Sequence, residues 1–525
     1  MTRREFAWTA AAPLAAQSQP GAGVRHILPG ASHERFLLKM SFHQAVQQAP
    51  VLRVGSRKVT GVRTDSAGQF WMFDVPGLEP ATPYSLQIVA RGKAVTEPWT
   101  LRTMPAPDSR VERFRLLIYT CAGGHDAMRR GETNDPYWVS IPLRRKIFAA
   151  ALKEKPDAAV AIGDNVYWDL RFGRGVGANR PPMGAQPWAR ALMGGDFDRD
   201  IPVIGTPNEA KLKAAVDRQI ADLYGTLFQS VPMHFIQDDH DYFENDEAVA
   251  QGISFPPDDF MMRLARATQH LYFPEHLPHP SRPVGLPGAS AGDRAAGLSE
   301  CYGTLRWGSA AELLLYDCRR YQTLRGPHAR LVPENVEAWL ARRMKESDAR
   351  HVVHVPSMPV AWSAGKWGEW YADVLDNQGR LGVANTKYFW QEGWRLQHDR
   401  LLAAASGMAR IPVFMSGDLH ALAHGAIERN GKHDLRRNPV HSVLTGPVST
   451  GPWGWPSSAR GTPPLLATGM EVKESLKPLE QNGFTIVDFV GDRIEFRQFK
   501  WKMGEAEANL DQMQPFHEFR LERKV

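Results

Sequence analysis

The chain has 525 residues, 43% of them apolar and 23% charged, with a formal net charge of +6. That length allows two domains and a sizeable core, and the composition is that of an ordinary globular protein. Scattered rather than blocked lysines and arginines exclude a nucleic-acid-binding tract, no apolar run nears the roughly 20 residues that span a bilayer, and three cysteines cannot build a disulfide framework.

At the N-terminus, Thr2-Arg3-Arg4-Glu5-Phe6 and an alanine-rich run to Ala16 are similar to a twin-arginine export signal. Residues 1–22 are therefore expected to be a leader and the protein to be periplasmic or secreted. A ragged start that happens to hold two arginines is the competing reading. From 23 to 106 the pattern is all-β, with short runs (Phe36-Leu37-Leu38, Thr60-Gly61-Val62, Phe70-Trp71-Met72-Phe73) separated by Gly and Pro turns. Leu78-Glu79-Pro80-Ala81-Thr82-Pro83-Tyr84 is similar to the Leu-x-Pro-x-Thr-x-Tyr run that sets a corner tyrosine in fibronectin type III-like domains. A small β-sandwich is expected over 23–106. It holds no metal-ligand cluster, which leaves it a packing or docking role.

From 107 to 525 strands alternate with helices, the pattern of an α/β domain. Apolar strands are predicted over 114–120, 158–162, 233–236, 351–355 and 413–415. Helices are predicted over 141–152, 212–228, 334–345 and 396–405, the third opening at Pro333. Segments 442–444, 484–489 and 494–499 are expected to be antiparallel strands closing a second sheet, with helices layered on two stacked sheets. Three Gly-, Pro- and Trp-rich stretches, 171–207, 251–296 and 446–464, interrupt the alternation. Long loops of this kind either wall a pocket or are plain surface insertions.

Four of the strands end in side chains that bind metals, at the edge where open α/β sheets put their ligands. The first delivers Cys121, the second Gly163-Asp164-Asn165-Val166-Tyr167, the third Asp238-Asp239-His240-Asp241, and the last Ser416-Gly417-Asp418-Leu419-His420. Hydrolysis of a phosphate ester needs neutralised phosphoryl oxygens and a hydroxide at neutral pH, and two metal ions bridged by one carboxylate supply both. Asp164, on the central strand edge, is the expected bridge. A thiolate, a phenolate and an imidazole from Cys121, Tyr167 and His420 favour a ferric ion. Asp239 and Asp418 offer oxygen to a harder divalent cation such as Ca2+. His240 is expected to protonate the leaving group or stabilise the phosphoryl transition state. Arg319 either binds the phosphate or pairs with Asp317, while His125, His234, His424 and His441 are read as structural.

Taken in order, these motifs resemble the PhoD-like alkaline phosphatases, a branch of the calcineurin-like metallophosphoesterases. Tyr302-Gly303-Thr304-Leu305-Arg306-Trp307-Gly308 and Leu314-Leu315-Tyr316-Asp317-Cys318-Arg319-Arg320-Tyr321 are similar to that family's central strand pair with its Asp-x-Arg-x-Tyr ending. The resemblance runs from about residue 36 to 499. It implies a four-layer αββα sandwich behind a small β domain and a centre holding Fe3+ and Ca2+, the second cation open to Zn2+, Mn2+ or Mg2+. It also implies cleavage of phosphomonoesters and, in some members, phosphodiesters. There are departures from the family pattern. The usual Ala-Ser-Cys-Gln reads Tyr119-Thr120-Cys121-Ala122, Asp169 stands near the place of a usual Glu, and the commoner Asp-Asp-His-Glu ends in Asp241. The strand over 351–355 runs into Pro356-Ser357-Met358-Pro359, without the histidine that many calcineurin-like enzymes offer there.

The expected activity is a metal-dependent phosphoesterase of the alkaline phosphatase type, with a metal-held hydroxide attacking phosphorus at a dinuclear centre. A phosphodiesterase acting on lipid or cell-wall diesters is the alternative among enzymes. A non-catalytic module that binds phosphorylated ligands is the alternative outside them. The partner is a phosphorylated small molecule or lipid, and the chain is expected to act as a monomer.

Overall fold

Two sheets stand face to face because their strands are apolar on both sides. The computed structural model describes residues 23–130, 134–168, 187–242, 248–249, 252–253, 255–323, 330–363, 392–460, 463–467 and 469–523. The leader expected over 1–22, Asp169 and residues 171–186 lie outside these. In the strand Ala158–Ile162 every residue is buried. Ala158, Val160 and Ile162 join a core shared by both sheets, while Ala159 and Ala161 pack among helix residues such as Phe148, Leu212 and Leu264. Phe114, Leu116 and Ile118 alternate with Leu117 and Tyr119 in the same way, as do Val413 and Met415 with Phe414. A side-chain period of two thus feeds two cores from each strand, and a four-layer αββα sandwich results.

The first sheet runs Met233–Ile236, Ala158–Ile162, Arg113–Thr120, Asn482–Val490, Arg493–Trp501, Pro515–Glu522. Its first three strands are parallel and the rest antiparallel. The second places Tyr302–Trp307, Ala311–Tyr316, His351–Pro356, Val413–Ser416, Val440–Thr445 and Leu422–Asn430 side by side, with Met470–Leu479 also on Leu422–Asn430. Within it Ala311–Tyr316, His351–Pro356, Val413–Ser416 and Val440–Thr445 are parallel. The expected assignment of 484–489 and 494–499 to a second sheet is therefore wrong. Asn482–Val490 lies against Arg113–Thr120, where its almost wholly buried residues cover the open side of that strand.

Two other expectations change. The helix predicted over 212–228 is broken into Pro207–Val216 and Ala221–Tyr224. The break turns Gln219 inward, where its amide oxygen accepts from Gly124 N at 2.7 Å and Tyr167 N at 2.8 Å. The stretch 251–296 is not all loop. It holds the helix Asp259–Tyr272, capped by Asp258, whose carboxylate accepts from Met261 N at 2.8 Å. The three cysteines are buried and free.

Ahead of the sandwich lie two antiparallel sheets, one of Val24–Ala31, Arg35–Phe42, Phe70–Pro76 and Val62–Arg63, the other centred on Val51–Val54 and Pro83–Ala90. Tyr84 turns its hydroxyl to accept from Glu79 N at 2.8 Å. Ion pairs fasten these sheets to the larger unit. Arg25 meets Asp217 at 2.5 Å and Asp222 at 2.7 Å, Lys213 meets Asp65 at 2.6 Å, and Lys39 meets Glu275 at 3.0 Å.

Candidate metal centre

Arg113–Thr120, Ala158–Ile162, Met233–Ile236 and Val413–Ser416 all release their chain at one end of the sandwich. The turns are tight. Cys121, Asp164 and Asp418 take positive φ of 49°, 51° and 64°, an uncommon region for residues other than glycine. Gly163, with φ of 66°, precedes Asp164, and a Cβ there would overlap that of Asp238. A Cβ on Gly417 would meet the Thr120 hydroxyl and stand 2.6 Å from the Ile162 carbonyl. Strand ends from both sheets thus approach closely enough for their side chains to converge, and the strain is held by the packed strands beneath.

Three groups of donor atoms result, each within 4.8 Å: Cys121, Asp164 and His420; Asp164, Asp239 and His240; Asp238, Asp239 and Asp418. Asp164 and Asp239 each belong to two groups, so the three form one continuous cluster. Every sequence-predicted ligand is in it or against it. Cys121 Sγ lies 3.3 Å from Asp164 Oδ2. The Tyr167 hydroxyl is 2.8 Å from that same oxygen and 2.8 Å from His420 Nε2. On its other side His420 Nδ1 is 2.8 Å from Thr450 Oγ1, a contact that fixes the ring. His240, half-buried, packs its ring 4.4 Å from that of Tyr167.

Arg319 departs from its expected alternative. Asp317 accepts from the Arg319 backbone N at 2.6 Å, but the guanidinium turns away to the cluster. Its Nε donates to Asp238 at 2.5 Å, and Nη2 lies 3.2 Å from Asp418 and 3.9 Å from Asp239. Asp317 accepts from the Arg320 amide and the Tyr242 hydroxyl as well, while the Arg319 guanidinium faces the carboxylates of Asp238, Asp239 and Asp418.

Burial dominates the electrostatics. It raises Asp164 above the ordinary carboxylate range despite the nearby His240, and raises Asp238 much further despite Arg319. Burial, with Asp164 next, also pushes Cys121 and Tyr167 well up, and burial brings His420 down to about 4. Asp164 Oδ1 and Asp238 Oδ2 are buried with no hydrogen-bond partner among the described residues. Converging carboxylates with orphaned oxygens, beside a neutral imidazole, a thiol and a phenol, are costly alone and suited to cations. The donor set fits metal cations.

Several supporting residues stood outside the expected ligand set. Asp238 joins the third group, although adjacent aspartates gave no ground for adding it to Asp239. Asp241 accepts from Asp238 N at 2.9 Å and Val166 N at 3.0 Å, tying the second and third turns together. Arg144, wholly buried on the helix Ile141–Lys153, donates to the carbonyls of Ala122, Gly123 and Gly124 at 2.7, 2.7 and 2.6 Å. It clamps the turn that carries Cys121.

The family model described as PhoD-like phosphatase matches residues 143–497. A solved structure of PhoD superposes with a TM-score of 0.60 at 14% identity, covering 97% of this chain and 92% of that one. A purple acid phosphatase from yellow lupin (Lupinus luteus) seeds gives 0.53 at 12% identity, over 95% of this chain and 74% of its own. Among curated protein sequences none matches this chain. The two structural likenesses establish a shared fold.

Proposed function

The chain belongs to the PhoD-like phosphatases, hydrolases of phosphoric esters, and on that premise we propose that it hydrolyses a phosphate ester at a dinuclear centre built on Asp164 and Asp239. The observation that carries this reading is the overlap of three donor groups through those two carboxylates, with orphaned oxygens on Asp164 and Asp238. Cys121, Tyr167 and His420 would hold one cation, Fe3+, Asp239 and Asp418 the other, Ca2+, and Asp164 would serve both. When bound, such a pair neutralises phosphoryl oxygens and makes a hydroxide available at neutral pH for in-line attack.

The chain's own groups do the rest. Before a cation is bound, the Tyr167 hydroxyl donates to Asp164 and orients that carboxylate, and it gives up this proton on becoming a ligand. Arg319 holds Asp238 and Asp418 in place and offsets their charge. His240, half-buried against the Tyr167 ring, would hand a ring-nitrogen proton to the departing ester oxygen.

The test is hydrolysis of an aryl phosphomonoester and the matching diester by iron- and calcium-supplied protein. Turnover of either is expected, and Asp164→Asn should lose it together with bound metal. Retained turnover and full metal content in that variant would sink the bridging role. A ferric ion on Tyr167 and Cys121 predicts a visible charge-transfer band; a colourless, iron-free active protein would refute that choice of metal. We further propose export through residues 1–22, which cell fractionation of Arg3→Lys/Arg4→Lys against wild type decides.

A further inference from the structure

The end of the sandwich remote from the metal centre holds a second concave site. The metal-binding side chains follow the C-terminal ends of parallel strands, whereas this cavity, of about 440 Å³, lies where Ala311–Tyr316, His351–Pro356 and Val413–Ser416 begin. Ser309 lines it from the turn ahead of the first of these strands, Arg350 from directly before the second, and Arg410 from three residues before the third. Asp492, in the hairpin turn after Asn482–Val490, and Arg523, directly after Pro515–Glu522, come from the first sheet. His351 Nε2 donates to the Gly491 carbonyl at 2.9 Å and ties that turn to the second sheet. Val413–Ser416 and its flanks separate the cavity from Asp418 by roughly 20 Å.

The charges around this cavity do not cancel. Asp348 pairs with Arg306 at 2.8 Å, Asp492 with Arg350 at 3.6 Å, and the buried Glu312 with Arg343 at 2.8 Å. Arg410 is held differently: its Nε donates to the Ala349 carbonyl at 2.8 Å and its Nη2 to the Ser347 carbonyl. Carbonyls fix that guanidinium and leave its charge standing. Among the described residues neither Arg410 nor Arg523 forms an ion pair, so two cations line the cavity in excess. The pair of Arg350 with Asp492 is long and open to water, the Asp492 side chain being 88% exposed. A concave surface with an excess of one sign focuses its field on a counter-ion.

We propose that this arginine-lined cavity is a second anion site, separate from the metal centre, for a small molecule bearing two tetrahedral oxyanion groups: a bisphosphate or a short condensed phosphate. Guanidinium groups present parallel N–H donors that match phosphate oxygens, and such charge-assisted bonds are about twice as strong as neutral ones. One uncompensated charge on Arg410 and another on Arg523 call for two anionic groups instead of one. The volume lies in the range of small-molecule sites and exceeds what a single tetrahedral ion fills. Because two carbonyls already hold Arg410, its side chain loses little freedom when a ligand arrives. None of these side chains belongs to the metal-binding donor groups, so binding here is independent of the hydrolytic reading.

The experiment measures binding of propane-1,3-disulfonate to the full, metal-loaded chain by calorimetry in low-salt buffer, where exposed charges are least screened. Its sulfonates copy the three-oxygen face of a phosphate, are not hydrolysed and coordinate metal ions weakly. It is expected to bind about tenfold more tightly than methanesulfonate and severalfold more tightly than glutarate, which spaces two carboxylates similarly. Arg523→Met, at an exposed position, and Arg410→Met should each weaken it about tenfold, with circular dichroism verifying the fold. Arg53→Met, which removes the same charge from an exposed position on the N-terminal sheets, should leave it unchanged. No binding, equal binding of methanesulfonate, no loss in both cavity variants, or an equal loss in Arg53→Met overturns the site. Equal binding of glutarate overturns its preference for tetrahedral groups. If the disulfonate binds as expected and no phosphate ester is turned over, the site stands and the hydrolytic reading fails. If esters are turned over and the disulfonate does not bind, the reverse holds.

Discussion

Arg319 lies among Asp238, Asp239 and Asp418, and removing its charge would leave those carboxylates facing one another without a protein cation between them. Breaking a buried pair by deleting one partner costs on the order of 3–5 kcal/mol. Arg319→Met should therefore lower the urea midpoint of chelator-treated protein strongly, and added divalent cation should recover part of the loss. An unchanged midpoint would show that the guanidinium is not what holds the cluster. Arg144→Met should act differently, freeing the carbonyls of residues 122–124 and loosening Cys121 while Asp239 and Asp418 stay in place. The expected outcome is a shifted or weakened charge-transfer band with less change in calcium binding. At this scale the sequence was informative where a donor directly follows a strand end, as with Cys121, Asp164 and Asp418. It was silent on Arg144, which occupies an ordinary helix position and acts through backbone carbonyls that leave no trace in residue identity.

The strand ends and the turns after them form the next scale. Gly417 sits where the second sheet reaches the first, and a methyl group there must displace Thr120 or the Ile162 carbonyl. Neither can move without moving a central strand, so Gly417→Ala should abolish metal binding and cost about 1–3 kcal/mol of stability from forced backbone strain. Gly285→Ala, with open space around the site of the new carbon, serves as the comparison because, like Gly417, it lacks a positive φ but, unlike it, has no close approach. Equal effects of the two on metal content would refute the packing argument. Strand existence was legible because both faces are buried and the runs are continuously apolar. Sheet membership was not. Asn482–Val490 reads as any buried strand, and nothing in its pattern says that its neighbour is Arg113–Thr120 rather than a strand near it in sequence. The break at residues 217–220 was equally hidden, since it is caused by Gln219 being drawn to Gly124 and Tyr167, a tertiary demand that overrides helix propensity.

At the scale of the whole molecule, the N-terminal sheets are held by buried charge. Burial alone would raise Glu275, but Lys39, His270 and Arg294 outweigh it and bring the carboxyl down to about 2. Lys39 shifts the opposite way to a simple pair, because burial is its largest influence and lowers it. In acid the Glu275 titration governs. Its folded value lies below the ordinary 4.5, so its stabilisation is complete above about 4.5 and is lost as pH falls towards about 2. The lost term is on the order of 3 kcal/mol. Lys39→Met should flatten the fall in stability across that window, as read by urea unfolding at a series of pH values; an unaltered slope would show that the pair does not couple docking to protonation. No described helix is long and apolar enough to cross a membrane. The pairing of Arg113–Thr120 with Asn482–Val490 has a temporal consequence during synthesis. The Arg115 side chain reaches Asp488 across 373 positions of chain, so the strand bearing Cys121 leaves the ribosome long before its neighbour exists. Until then it presents an unpaired, apolar edge open to self-association, and a nascent chain should depend on chaperones until its last quarter emerges, which ribosome-stalled fragments of increasing length would reveal as a late, abrupt gain of protease resistance.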